Sequence, residues 1–418
     1  MRRTLILTIP VAALAGTVQA ETIRFATFNA SLNRGTEGKL AADLATGADR
    51  QAQAVAEIIQ RVNPDVLLIN EFDYAPGNDR LFADNYLAKA QNVSGQGGTA
   101  GLDYRYSFIA PSNTGIPSGF DLNNDGTVGG GDDALGFGQF AGQYGMAVFS
   151  KHELDVDAIR SFQNFLWKDM PGNAMPEGFY DAEEQAILRL SSKSHWDVPV
   201  KIDGQTVHLI ASHPTPPTFD GPEDRNGRRN HDEIRLISDY VGGADYMTDD
   251  QGRTGGLAAG KAFVIAGDLN ADPFDGDSYD KAIRQLLENP RVNAGDVPSS
   301  AGGAAASDRQ GNANAGHGGD PAQDTADFAD TAPGNLRADY VLPSAGLKIS
   351  DSGVFWPLPE DPLFSLVGDY DPSLPGGFPS SDHRLVWTDI EVAPVPLPGA
   401  AWLLGAGLGA MALLRRRK

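Results

Sequence analysis

Several polar residues stand where apolar runs stop. Asn29 ends RFATFN, Glu71 ends VLLINE and His213 follows VHLIAS. Asp268 and Asn270 lie in VIAGDLNADP, Asp339 in LRADYVLPS, and Asp382 and His383 in PSSDHRLV. Strand ends are where a sheet protein gathers distant residues at one mouth. Glu71, Asp268 and Asp382 offer oxygen ligands to a hard cation, Mg2+ or Mn2+. Asn29 and Asn270 can bond phosphoryl oxygens or a water without adding repulsive charge. His383 can take a proton from water near neutral pH, and Asp339 can orient its ring. Together they suit metal-assisted hydrolysis of a phosphate ester.

A second group has metal-loop spacing. In DLNNDGTVGGGD, residues 121–132, Asp121, Asn123, Asp125 and Asp132 take positions 1, 3, 5 and 12. Gly126 sits at the sharp turn, and Thr127 can add its carbonyl. An aspartate replaces the usual final glutamate, which resembles a dockerin-type loop, and no helix pair flanks it. The spacing predicts one structural Ca2+ loop in an insertion at about 119–135.

Cations are concentrated in two places. After His213, three prolines stiffen the chain (Pro214, Pro216 and Pro217), and Arg225, Arg228, Arg229 and His231 then precede a helical pattern. These either contact substrate phosphate, the reading favoured here, or pair with Glu223, Asp224 and Asp232. In SSKSHWD, Lys193 and His195 are further phosphate candidates, while Trp196 either stacks on a base or packs in the core.

The elements that must position these groups are strand-like runs at 23–28, 66–69, 106–109, 146–149, 207–211, 262–266, 338–342 and 385–390. Helical patterns cover 51–62, 231–240 and 279–287; the first carries Val55, Ile58, Ile59 and Val62 on one face and stops at Asn63-Pro64. Such a mixture suggests either two packed sheets with helices outside or a doubly wound sheet. Residues 91–101 and 293–335 are rich in Gly, Ala, Asn and Asp; the second is either a functional loop or disordered.

Both ends read as targeting segments. Residues 1–20 combine Arg2 and Arg3, an apolar stretch and a Val18-Gln19-Ala20 cleavage pattern, as a signal peptide does; the alternative is a buried first helix. Residues 393–418 run from VPLP through an apolar stretch to Arg415, Arg416, Arg417 and Lys418, a transmembrane segment followed by cations. This tail resembles the sorting signals of Gram-negative exosortase substrates, which implies an exported protein handled by exosortase-type sorting machinery. Without the two ends, which carry five arginines and one lysine, the formal charge of −22 becomes −28. Such a chain repels polyanions at long range, which disfavours tight non-specific wrapping of nucleic acid. The chain has no cysteine, so disulfides, thiolate nucleophiles and cysteine-ligated zinc are excluded.

Taken in order, Asn29, Glu71, His213, GDLN at 267–270, Asp339 and SDH at 381–383 resemble the deoxyribonuclease-like endonuclease/exonuclease/phosphatase superfamily. The resemblance runs from about Thr22 to Ile390. It implies an α/β four-layered sandwich with the site at one edge of two packed mixed sheets, within one catalytic domain over 21–392. It further implies Glu71 as principal metal ligand, helped by Asn29 and Asp382, and Asp268 with Asn270 orienting water and phosphate. By the same resemblance His383, held by Asp339, activates water, and His213 contacts the scissile phosphate. Asn70 departs from the family's usual glutamine. The functions in view are a secreted phosphodiesterase or phosphomonoesterase, an extracellular nuclease, a sphingomyelinase-like lipid hydrolase, and a non-catalytic matrix or surface protein. A monomer is expected. A membrane-docking loop has one candidate apolar group, Phe162, Phe165, Leu166 and Trp167.

Overall fold

Residues 20–393 are described by a computed structural model. Their apolar runs pair into two six-stranded mixed sheets. The first contains β1 (Glu21–Leu32), β2 (Val66–Phe72), β3 (Tyr106–Ile109), β4 (Met146–Ser150), β11 (Lys348–Val354) and β12 (Val386–Val392), in the order β11-β12-β1-β2-β4-β3. The second contains β5 (Glu153–Leu154), β6 (Arg160–Ser161), β7 (His195–Ile202), β8 (Gln205–Ser212), β9 (Ala262–Asp268) and β10 (Asp339–Pro343). Its order is β10-β9-β8-β7-β5, with β6 beside β7.

Two apolar layers hold the sandwich. Leu68 and Phe28 from the first sheet share one buried cluster with Val198, Val264 and Val341 from the second. The helix Arg50–Val62 adds Val55, Ile58 and Ile59 to that cluster, covering the first sheet. Asp49 caps this helix by accepting the Ala52 N–H at 2.8 Å, and Asn63 ends it in the left-handed conformation. The helix Arg225–Gly242 buries Ile234, Leu236 and Ile237 against Ile210, Phe263 and Ile265 of the second sheet. The result is helix, sheet, sheet, helix: the expected two-sheet sandwich and not a doubly wound sheet.

Strand direction explains why the polar residues converge. β1 runs parallel to β2, and β8 parallel to β9, so Asn29, Glu71, His213 and Asp268 leave the sheets at carboxyl ends. β12 and β10 run antiparallel to β1 and β9, so His383 and Asp339 enter at that same edge; Asp339 is registered directly opposite Asp268.

Several expectations change in detail. The 279–287 pattern is a short turn at Tyr279–Lys281 and a separate helix at Arg284–Leu287. Residues 293–335 contain the helix Ala301–Gln310 and fold against the body. Phe162, Phe165 and Trp167 are buried in the second core cluster, so they present no docking loop. Trp196 is core as well, its ring edge-on to Phe108 at 4.9 Å. No helix among the described residues is long and apolar enough to cross a membrane. The leader and the sorting tail lie outside the described residues, apart from Ala20 and Ala393.

Candidate active site

Asp268 is the centre of the site. Its Oδ2 accepts Asn29 Nδ2 at 3.0 Å and lies 3.4 Å from His213 Nε2 and 3.7 Å from His383 Nε2. Its Oδ1 accepts the backbone N–H of Asn270 at 3.0 Å, which fixes the turn after β9. Asn270 then uses Nδ2 on the Pro214 carbonyl at 3.2 Å, tying this turn to the segment after His213.

His383 is held from the far side. Its Nδ1 lies 2.8 Å from Asp339 Oδ2, and Thr325 Oγ1 donates to that same oxygen at 2.8 Å. The ring is therefore oriented with Nε2 toward Asp268. Ser381 Oγ accepts the His383 N–H at 3.0 Å and donates to the Asn29 carbonyl at 2.7 Å, joining the SDH turn to β1. Asp382 Oδ1 accepts Ser31 Oγ at 3.3 Å, and Glu71 Oε2 accepts Asn33 Nδ2 at 2.8 Å. Glu71 itself sits at a positive φ of 56°, a strained position for a strand residue.

Electrostatics divide these groups sharply. Burial lowers the proton affinity of His383, but Asp339, Asp268 and Asp382 outweigh it and hold that affinity well above the ordinary value. Burial and the Lys193 charge push His213 down to about 4. Burial would raise Asp268, but His383, His213 and the Asn29 amide hold its carboxyl well below the usual range. Burial and the facing Asp382 push Glu71 up to about 7, and burial lifts Asp339 to about 6.

These residues fit a hard divalent cation. Asp382 repels the Glu71 charge more than either His383 or the Asn29 amide favours it, and Asp339 Oδ1 is buried without a hydrogen-bond partner among the described residues. Among the described residues, Asp268, Asp339 and His383 also bring ligand atoms within 4.8 Å of one another. The oxygen-rich side, with Asn29, Glu71 and Asp382, has the chemistry of a magnesium or manganese site.

The other candidates lie elsewhere. Arg229 donates to the carbonyls of Leu190 at 2.9 Å, Leu135 at 2.6 Å and Arg189 at 2.8 Å, so its guanidinium closes a loop. Arg225 pairs with Glu223, and Arg228 lies 4.6 Å over the Tyr279 ring. His231 is taken up by Asp232 at 3.0 Å, and His195 bonds Ser191 Oγ at 2.6 Å and the Glu233 carbonyl at 3.1 Å. None of these five lines the cleft over the site. Lys193 does not line the cleft either, but it is buried, its ammonium has no hydrogen bond or ion pair among the described residues, and it feels the charges of Glu233, Glu71 and Asp268.

The 121–132 loop brings three of its residues together. Asp121 accepts the N–H groups of Asp125 at 3.0 Å and Gly126 at 2.8 Å, and Asn123 Oδ1 accepts that of Asp125 at 3.0 Å. Asp125 accepts the Thr127 N–H at 2.8 Å. Asp132 is exposed, and its neighbour Asp133 turns inward instead, accepting from Leu122 and Gly129, each at 2.7 Å. Gly129 and Gly130, at φ 120° and 91°, let the chain run one residue further before it closes.

The sequence pattern missed the braces: Ser31, Asn33, Thr325 and above all Asn70. Asn70 Oδ1 accepts the Asp268 N–H at 3.1 Å and Thr27 Oγ1 at 3.2 Å, while Nδ2 donates to the Ser212 carbonyl at 3.3 Å. For Asn70 the signal was its place directly before Glu71, where the family resemblance expects a glutamine, a longer amide.

A model of the Endonuclease/Exonuclease/phosphatase family matches residues 26–383. No curated protein matches the chain. Among solved structures, it is similar to an endonuclease/exonuclease/phosphatase from Beutenbergia cavernae DSM 12333, at 16% identity and TM-score 0.48, over 90% of this chain and 73% of that one. It is also similar to the beta toxin of Staphylococcus aureus, at 15% identity and TM-score 0.43, over 88% and 99%. A mannosyl-6-phosphatase from Bacteroides thetaiotaomicron VPI-5482 is similar at 10% identity and TM-score 0.43, over 88% and 99%. With its two packed sheets and with the family's model matched from β1 to His383, the chain belongs to the endonuclease/exonuclease/phosphatase family.

Proposed function

We propose that the protein is a divalent-metal-dependent phosphoric ester hydrolase acting by in-line attack of water. The observation that carries this reading is Asp268 Oδ2, set 3.4 Å from His213 and 3.7 Å from His383 at the floor of the cleft. The ion, when held by Glu71, Asp382 and Asn29, supplies positive charge that neutralises the phosphoryl oxygens and lowers the proton affinity of His383. With the ion bound, His383 would be the base that takes the proton from water, since Asp339 at 2.8 Å fixes its Nδ1 and turns Nε2 toward Asp268, and Asp339 would steady the imidazolium. Asp268 stays anionic and, with Asn270, orients the attacking water. His213 stays neutral and offers an N–H to a phosphoryl oxygen. Lys193, buried and outside the cleft lining, is assigned a charge contribution through space: it feels Glu233, Glu71 and Asp268, and its ammonium has no partner among the described residues.

Small phosphate esters or short oligonucleotides are favoured over intact duplex DNA. Glu71, Asp268, Asp382 and three further aspartates line the cleft, and among the described residues no lysine or arginine does; a long polyanion needs many cations along its track. The second reading is an extracellular nuclease. Assays with magnesium, manganese and calcium against 4-nitrophenyl phosphate, its bis ester, plasmid DNA, RNA and sphingomyelin separate the alternatives. Duplex DNA cleaved about tenfold better than any small ester reverses the preference, and no turnover at all favours the non-catalytic matrix protein.

The same proposal includes a monomer exported to the cell surface, extracellular matrix or medium of a Gram-negative bacterium, with the tail read by exosortase-type machinery. Its support is the leader and tail pattern in the sequence. A secreted form whose measured mass requires residues 1–20 to be present contradicts it.

A further inference from the structure

The cleft above Asp268 has a volume of about 810 Å³. Two segments furnish its apolar walls: Pro216, Pro217 and Phe219 after β8, and Phe328, Pro333 and Leu336 from the 293–335 insertion. A cleft of this volume takes a whole organic molecule, far more than a phosphate, so its shape answers to the rest of the substrate.

Phe219 stands out physically. It is 82% exposed and sits at φ 65°, although a bulky residue loses about 1 kcal/mol or more in the left-handed region. The turn is pinned on both sides of it. Asn226 Nδ2 donates to the Thr218 carbonyl at 2.7 Å, and the Asn226 N–H donates to Asp220 Oδ2 at 2.6 Å. The start of a long helix thus holds an apolar ring out at the cleft, where it makes no use of the core. Strain combined with exposure is the signature of a ligand contact more than of folding. Phe328 ties the other wall to the chemistry, its ring edge-on to His383 at 5.2 Å.

Charge narrows the occupant. Of the three further aspartates in the lining, Asp272, Asp275 and Asp277, the first two already accept backbone N–H groups: Phe274 and Arg337 on Asp272, Gly318 and Gly319 on Asp275. Their charge is partly satisfied, so a cationic ligand is not demanded, while a second phosphate is repelled.

We propose that Phe219 and Phe328 form a subsite for the organic part of the substrate, and that it takes a flat, uncharged apolar ring carried on a single phosphate. This rests on the phosphoesterase reading of the same site.

The test compares diesters with one leaving group: benzyl, methyl and choline 4-nitrophenyl phosphates. Wild-type kcat/KM is expected to favour benzyl over methyl by about tenfold, with Phe219→Ala cutting that ratio to about threefold or less. Phe219 is exposed, so its removal leaves the fold intact. A wild-type ratio near one, a ratio unchanged in Phe219→Ala, or a preference for the choline ester over benzyl overturns the subsite. A thymidine ester as a further arm tells a nucleobase from a simple aryl group, and its preference over methyl supports the ring. If no ester turns over, the phosphoesterase reading fails, and calorimetry with benzylphosphonate and methylphosphonate reads the subsite alone. Benzylphosphonate bound about tenfold tighter supports it; equal binding, or none, overturns it.

Discussion

The Asn70 side-chain oxygen accepts the backbone N–H of Asp268 at 3.1 Å, joining the end of β2 in one sheet to the end of β9 in the other. The same side chain reaches the Ser212 carbonyl beside His213. One buried amide therefore sets the distance between Glu71, the proposed metal ligand, and Asp268, the group proposed to orient water. Asn70→Ala leaves a buried N–H and a buried carbonyl unpaired, an expected loss of about 2–3 kcal/mol in urea unfolding. Turnover is expected to fall about tenfold or more, because Asp268 is no longer fixed against Glu71. A variant with wild-type stability and rate contradicts the brace.

The basic segment after His213 is expected to matter for stability and not for substrate. Arg229→Met removes three bonds to half-buried carbonyls, with an expected cost of roughly 2–4 kcal/mol in denaturant unfolding. Arg228→Ala is expected to keep kcat/KM within about twofold of wild type, and Lys193→Met to lower it about tenfold or more. A large loss in Arg228→Ala with Lys193→Met unaffected reverses the assignment.

The convergence of the candidate site was legible because each of its polar groups interrupts or ends an apolar strand: Glu71 after VLLIN, Asp268 after VIAG, His213 after LIAS. Braces such as Asn70, Ser31 and Thr325 were illegible for the converse reason. Their partners are far away in the chain, and nothing local distinguishes a buried bridging amide from any other polar residue. β7 was hidden because His195, Asp197 and Pro199 break its apolar pattern; the structure satisfies Asp197 with His208 at 2.7 Å and with Tyr240. The helix Ala301–Gln310 was hidden by its paired glycines. Gly302 is needed for contact, since a Cβ there would lie 2.1 Å from the Trp356 carbonyl oxygen. The charge of the arginines is obvious in sequence, but their partners are not: the carbonyls that occupy Arg229 come from three separate residues.

Asp324 gives a signature in pH. Burial, reinforced by Asp272, Asp275 and Asp320, pushes its carboxyl up to about 8 from the ordinary 3.8. Between these values the native protein holds a proton that the unfolded chain has lost, so this group's contribution makes stability fall as pH rises and then levels above about 8. Asp324→Asn is expected to gain about 1 kcal/mol at pH 8.5 in urea unfolding, with the gain vanishing toward pH 4. An equal gain at both pH values contradicts the protonation argument.

The 121–132 loop is expected to bind Ca2+ apart from the catalytic site. Calorimetric titration of metal-stripped Glu71→Gln protein should show one calcium site, and Asp121→Ala should remove it. Asp133, which turns inward, is expected to matter more than exposed Asp132. No calcium binding in the Glu71→Gln protein ends the proposal.

The central claim is that Asp268 and His383 perform metal-assisted hydrolysis of a phosphate ester. Its most direct test is initial-rate hydrolysis of bis-4-nitrophenyl phosphate by the wild type and His383→Ala, each with magnesium or manganese and with EDTA. The account predicts turnover that EDTA abolishes and that His383→Ala reduces by about a hundredfold or more. Turnover unaffected by EDTA, or His383→Ala retaining more than about a tenth of the wild-type rate, contradicts it.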